Sequence, residues 1–276
     1  MSESPQLMGS EGSPVFLIGA QRSGTTALSF ALNAAFHDVG GLFTVNGKLP
    51  YLLQRWITQE DIECAHLRAD EILWALRRKL PSGKGAEEWL ARTEAVLRKY
   101  AQEVAEGSGI SPIEMARGIV SESYGAGLRW GEKYNEYLLM LPYLRSLVPE
   151  ARYVVLIRHP EAVVHSMLKW SGDRPWNPGA RKSALDKWNS WNARWLHFAR
   201  NIPNESYLMV DYEELCRGSE TDRMEKFLGL ELRQYFTTLN SRTGSPHTDA
   251  PLPPDTMKTW RALNALRSTQ RAPQSP

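Results

Sequence analysis

The chain has 276 residues, 42% of them hydrophobic, with 33 Lys and Arg against 31 Asp and Glu and a net charge of +2. That is enough apolar material for one large core, and too balanced a charge for a partner such as nucleic acid, which needs a strong positive field. No run of about 18 apolar residues exists, which excludes a membrane-spanning helix, and Met1–Ser13 is polar, without a signal-peptide core.

Val15–Leu28 reads VFLIGAQRSGTTAL, an apolar strand, a glycine-bounded loop and a helix start that continues through Ala35. Gly19 and Gly24 bracket a tight turn, and the N–H groups and hydroxyls of Ser23, Thr25 and Thr26 sit where a helix N-terminus cradles phosphate. The spacing nearly fits the nucleotide-phosphate pattern G-x-x-x-x-G-K-[ST], but Thr25 stands where the lysine belongs. A kinase or NTPase uses that lysine on the β/γ-phosphates. Here the cation is Arg22, inside the turn. Asp38–Pro50 reads as a glycine-containing loop or short strand, and Tyr51–Thr58 as a short helix. Glu60–Lys79 and Ala86–Ala105 read as amphipathic helices broken by Pro81–Gly85, and Ser111-Pro112 opens another. Tyr153–Ile157 is a second buried-strand run with Arg158 at its carboxyl end, where open α/β sheets bind ligands. A kinase places a magnesium-holding acid after such a strand; an arginine suits direct capture of phosphate. Pro160 starts the next helix and carries Ser166 about two turns along it. Trp188, Trp191 and Trp195 within Ser183–Asn201 lie on one helical stripe, the pattern of a core face. Thr256–Arg267 reads as a last helix before a polar tail.

The loop and the second strand together resemble a sulfotransferase using 3′-phosphoadenosine 5′-phosphosulfate (PAPS). Arg22-Ser23-Gly24-Thr25-Thr26 matches that family's [KR]-[SG]-G-T-T loop, and Arg158-His159-Pro160 through Ser166 matches its R-[DNH]-P-x₅-S element. Gly131-Glu132-Lys133-Tyr134-Asn135 and Tyr207–Leu230 resemble two further family elements more weakly. The resemblance spans roughly residues 14–245. It implies an α/β, P-loop-NTPase-like three-layer fold with a central parallel sheet, and a helical insertion over about residues 50–125 forming the acceptor side. It also implies one domain over 14–267, with disordered tails at 1–13 and 268–276. In it, Arg22, Ser23, Gly24, Thr25 and Thr26 would hold the 5′-phosphosulfate, and Arg158 and Ser166 the 3′-phosphate. Arg242-Thr243-Gly244 falls where relatives carry an Arg-Lys-Gly segment that closes over the 3′-phosphate; it is equally readable as a plain connecting loop. Trp176 is a candidate for packing on adenine or lining the acceptor site.

The implied chemistry is transfer of a sulfuryl group from PAPS to an acceptor oxygen or nitrogen, leaving PAP as product, with no metal required. Relatives use a histidine base where this chain has Asn135, and an amide cannot serve as a base. Candidates for the base are Glu132, His37 and Asp38, with Arg22, Lys48 and Lys133 stabilising charge on the transferred group. The acceptor would be a small metabolite, glycan or lipid. The two cysteines, Cys64 and Cys216, fit a reducing, cytoplasmic setting, with one disulfide still open. Oligomeric state stays open. The alternatives are a P-loop small-molecule or nucleotide kinase, and a PAP-binding module without activity.

Overall fold

The computed structural model describes residues 12–107, 109–125, 127–170, 177–237, 239 and 251–271. Five strands, β1 (Val15–Ile18), β2 (Leu42–Val45), β3 (Trp130–Lys133), β4 (Arg152–Ile157) and β5 (Tyr207–Asp211), form one sheet in the order β2-β3-β1-β4-β5. Every pairing is parallel, with Leu17 opposite Lys133 on one side and Val154 on the other. Because strand side chains alternate between faces, the same short runs build two cores. Phe16, Ile18, Tyr153, Val155, Ile157, Tyr207 and Met209 point to one. Val15, Leu17, Val154, Leu156, Leu208 and Val210 point to the other. Sheets covered on both faces read as near-continuous apolar runs, which is why Val15–Ile18 and Tyr153–Ile157 stand out in the sequence.

Helix α1 (Thr25–Asp38) covers the second face together with the later α10 (Tyr212–Cys216), α11 (Thr221–Leu228) and α12 (Arg233–Phe236). Five helices between β2 and β3 form the insertion: α2 (Leu49–Trp56), α3 (Gln59–Glu63), α4 (Ala69–Arg78), α5 (Ala86–Ala105) and α6 (Pro112–Tyr124). With α7 (Leu141–Leu147), α8 (Pro160–Leu168), α9 (Arg181–Ala199) and α13 (Pro254–Thr269) they cover the first face. The result is a three-layer α/β fold around a parallel sheet. The tryptophan stripe of α9 is core: Trp188, Trp191 and Trp195 are all buried.

The expected helix over Glu60–Lys79 is two helices. Ala65 adopts a left-handed φ of 52° just past α3. Asp61 is drawn inward to cap Thr58 and to pair with Arg68 at 2.7 Å, which turns the chain before α4. The expected tail beginning at residue 268 also needs correction. Helix α13 runs to Thr269, the Gln270 side chain bonds the backbone of Met209 and Tyr207 at 2.9 and 2.8 Å, and Arg271 pairs with Glu214 and Glu220. Glu220 is fully buried, so the arginines that neutralise it, Arg223, Arg267 and Arg271, hold the chain end to the body.

Candidate active site

The site lies at the carboxyl ends of the central strands, where β1 turns into α1. Glycine is required twice. A Cβ on Gly19 would lie 2.6 Å from the Leu156 carbonyl oxygen, and one on Gly24 would lie 2.2 Å from the Tyr212 ring. Gly24 also has φ 95°. Gly24→Ala is therefore expected to destabilise the fold by about 1–3 kcal/mol from backbone strain alone; a urea midpoint unchanged from the parent protein would refute this.

Between the glycines the loop folds back through Ser23 N–H to Ala20 C=O at 3.1 Å, and Arg22 takes a left-handed φ of 70°. Gly24 then caps α1 with no side-chain bond to the first turn, and that turn holds no acidic residue. The leading N–H groups of α1 therefore face the loop without a carboxylate to repel an anion. Ser23 Oγ is buried with no hydrogen-bond partner among the described residues.

Cations surround this turn. The exposed Arg22 donates through Nε to Ser166 Oγ at 3.0 Å, so α8 and the loop meet. Arg158 is buried, donates through Nε to Glu213 Oε1 at 2.7 Å and through Nη1 to the Arg22 carbonyl at 3.4 Å, and lies over the Tyr212 ring at 4.7 Å. Burial and the Arg158 charge hold the Arg22 guanidinium below its ordinary value. From β3, the buried Lys133 donates to Thr26 Oγ1 at 3.2 Å and Asn46 Oδ1 at 3.1 Å. Burial pulls its pKa to about 8, with Lys79 adding to the shift and Glu136 opposing it. Both strands flanking β1 thus end in a cation, and like charges held this close favour a bound anion.

A sulfotransferase family model matches residues 14–234. The chain belongs to the sulfotransferase family. The sulfotransferase domain from the Synechococcus PCC 7002 olefin synthase superposes with a TM-score of 0.55 at 18% identity, covering 99% of this chain and all (100%) of that one. The sulfotransferase domain from the curacin biosynthetic pathway gives 0.56 at 14% identity, covering 92% and 98%. At these identities the likeness is one of fold. A Caenorhabditis briggsae protein named "Putative protein-tyrosine sulfotransferase" is 30% identical over 101 residues, 36% of each chain. The Caenorhabditis elegans protein of the same name is 31% identical over 101 residues. The chain spans well under half the length of these curated relatives, 36% and 39%.

The structure brings Arg22, Ser23, Gly24, Thr25, Thr26, Lys133, Arg158 and Ser166 to one place and leaves other candidates elsewhere. His37 and Asp38 end α1, a 14-residue helix that starts at the loop, so they lie about 20 Å away at its far end. Asp38 there accepts from Tyr235 at 2.6 Å and pairs with Lys84 at 3.5 Å. Lys48 is turned into the insertion, where its ammonium bonds the carbonyls of Ala75 and Lys79 at 2.5 and 3.2 Å. Glu132 is fully buried and accepts from Tyr124 at 2.6 Å and Tyr137 at 2.5 Å. Burial pushes Glu132 up to about 7 against those hydroxyls and the N–H groups of Leu49 and Lys48. It ties β3 to the start of α2 and is closed off from solvent. Arg242, Gly244 and Trp176 lie outside the described residues.

Three residues at the site, Tyr212, Glu213 and Glu136, were not singled out by the sequence, and Asn135 was noted there only as an amide that cannot serve as a base. Tyr212 and Glu213 follow β5 and support Gly24 and Arg158. Asn135 Oδ1 lies 3.5 Å from Thr25 Oγ1, so the amide at the histidine position braces the loop. Glu136, on the 3-10 turn Asn135–Leu139, has one oxygen, Oε2, buried with no hydrogen-bond partner among the described residues. Its charge acts on Lys133 and on the Tyr134 hydroxyl, whose ring packs against Tyr51 at 5.2 Å.

Proposed function

We propose that the chain moves a sulfuryl group from PAPS to a hydroxyl or amine of a small metabolite, glycan or lipid, releasing PAP. The observation that carries this reading is the phosphate loop flanked by Lys133 and Arg158 at the ends of β3 and β4, with Thr25 in place of the loop lysine. A kinase of this fold needs that lysine and an acid for magnesium; this site supplies fixed cations instead.

The residues divide the work as follows. The loop N–H groups, Thr25 and Thr26 receive the 5′-phosphate. Arg158, with Ser166 and Arg22, receives the 3′-phosphate, and Glu213 and Tyr212 hold Arg158 in place. Lys133 stabilises charge gathering on the bridging oxygen as the S–O bond to phosphate breaks. Glu136 takes the acceptor proton as the new S–O bond forms, a role supported by its oxygen without a partner among the described residues and by its charge acting on Lys133. Tyr51 and Tyr134 line the acceptor side of that carboxylate. A cytoplasmic setting is supported by two free thiols, Cys64 and Cys216, and among the described residues no helix is long and apolar enough to cross a membrane.

Calorimetric titration of PAP, with ATP–magnesium as comparator, tests the donor site. The expected result is PAP binding at least about tenfold tighter than ATP–magnesium, weakened at least about tenfold in Arg158→Ala. Tighter ATP–magnesium binding would overturn the reading in favour of a kinase. Tight PAP binding with no turnover of PAPS across alcohols, phenols and amines would identify a binding module.

A further inference from the structure

A cavity with apolar walls lies away from the donor loop. It encloses about 750 Å³ between the Asn135–Leu139 turn, α7 and the second half of α9. Its apolar walls are Leu138 and Leu141 on one side and Phe198 and Ile202 on the other. That volume falls within the range of small-molecule sites. Its position is fixed by the sheet. Phe198 packs edge-on against Tyr153, the second residue of β4, at 5.6 Å. Arg158 follows the last residue of that strand, so this wall lies roughly 17 Å from the donor arginine, toward the opposite end of the sheet.

Five polar side chains break the apolar lining: Arg145 from α7, Ser190, Arg194 and His197 from α9, and Asn201 just past its end. Neither guanidinium makes an ion pair or hydrogen bond with the described residues, whereas many other arginines here are paired. Arg145 is half-buried, and its charge reaches the buried Tyr153 hydroxyl, so it belongs to the inner wall. No acidic residue lines the cavity. A pocket of this kind is complementary to a molecule with an alkyl body and an anionic head: the body removes apolar area from water, and the head meets a guanidinium fork.

We propose that this cavity binds a medium- to long-chain alkyl carboxylate, with the chain against Leu138, Leu141, Phe198 and Ile202 and the carboxylate on Arg145 and Arg194. The site is separate from the donor loop and does not depend on the transferase reading.

The test is calorimetric titration with decanoate below its micelle concentration, against octanoate, 1-decanol and decyltrimethylammonium. Decanoate is expected to bind saturably, at least about tenfold tighter than octanoate, because two more methylenes are buried at about fourfold each. It is also expected to bind at least about tenfold tighter than the alcohol or the cation. The double variant Arg145→Ala/Arg194→Ala should lose at least about tenfold in decanoate affinity, and Ala193→Trp, which fills the cavity, should abolish binding. An unchanged far-ultraviolet circular dichroism spectrum and urea midpoint in both variants would show that they are folded. No saturable binding by wild type, equal binding of the alcohol or the cation, or full affinity in the double variant would each overturn the proposal. So would a wild-type dimer in sedimentation that Ala193→Trp converts to monomer, which would make this face an interface between copies.

Discussion

Glu136→Gln is expected to lower kcat for sulfuryl transfer to an alcohol by about 10²–10⁴-fold, the usual worth of a positioned general base. PAP affinity should stay within about threefold, because the side chain acts on the acceptor proton and not on the donor phosphates. The substitution keeps the shape of the group and removes its ability to take a proton. The structure favours this carboxylate over the others near the sheet. Glu132 is closed off by two tyrosine hydroxyls, and Asp38 sits at the far end of α1. Glu213 is committed to Arg158 at 2.7 Å, whereas Glu136 carries one oxygen without a partner among the described residues. Acidity of the acceptor provides a second readout. A phenol with an electron-withdrawing substituent needs less help in losing its proton, so its rate should fall much less in the variant than that of an alcohol. Equal losses on both acceptors would mean that Glu136 shapes the site without moving the proton, and an unchanged kcat would place the base elsewhere.

The parallel strands and the glycine-bounded loop after the first of them were legible in the sequence because they rest on local rules. A buried parallel strand is a short apolar run, and a phosphate loop needs glycine where Cβ atoms would strike Leu156 and Tyr212. Arg158 declared itself at a strand end and Arg22 inside the turn, whereas Lys133 was visible only through the resemblance of Gly131–Asn135 to a family element. Which carboxylate is left with an unsatisfied oxygen was not legible, because that depends on the tertiary structure. Glu132 and Glu136 are four residues apart, yet Glu132 is fully buried between two tyrosine hydroxyls, whereas Glu136 keeps one oxygen without a partner among the described residues. Lys48 was attractive as a cation near the site, but its left-handed φ of 57° at the start of α2 sends the side chain to the carbonyls at the end of α4. The chain end was misread for a related reason. Ser268–Arg271 looks like polar tail until Glu220 is seen to be buried and in need of countercharge.

Lys133→Met should separate stability from function. Lys133 is held at about 8 against an ordinary 10.5, chiefly by burial. Between those values the unfolded chain binds more protons than the folded one, so stability rises with pH across that window. Below pH 8 the folded protein carries the full cost of the buried ammonium, on the order of 3 kcal/mol. Methionine, of similar length and uncharged, removes that cost, so the variant is expected to unfold at higher urea concentration than wild type at pH 7. The same change should lower kcat by about 10²–10³-fold, the loss typical of one donor aimed at developing negative charge. Donor binding supplies the decisive link. An anion beside Lys133 favours its charged form, so PAP affinity should be level between about pH 7, where the phosphates are fully ionised, and pH 8. Above that it should weaken, by up to about tenfold per pH unit, as the free protein's lysine loses its proton. In Lys133→Met that decline should vanish, with affinity at pH 7 already reduced. A pH-independent PAP affinity in wild type between pH 7 and 10 would show that the ammonium does not face the bound phosphate. A less stable Lys133→Met would show that its bonds to Thr26 and Asn46 outweigh the burial they were set to offset.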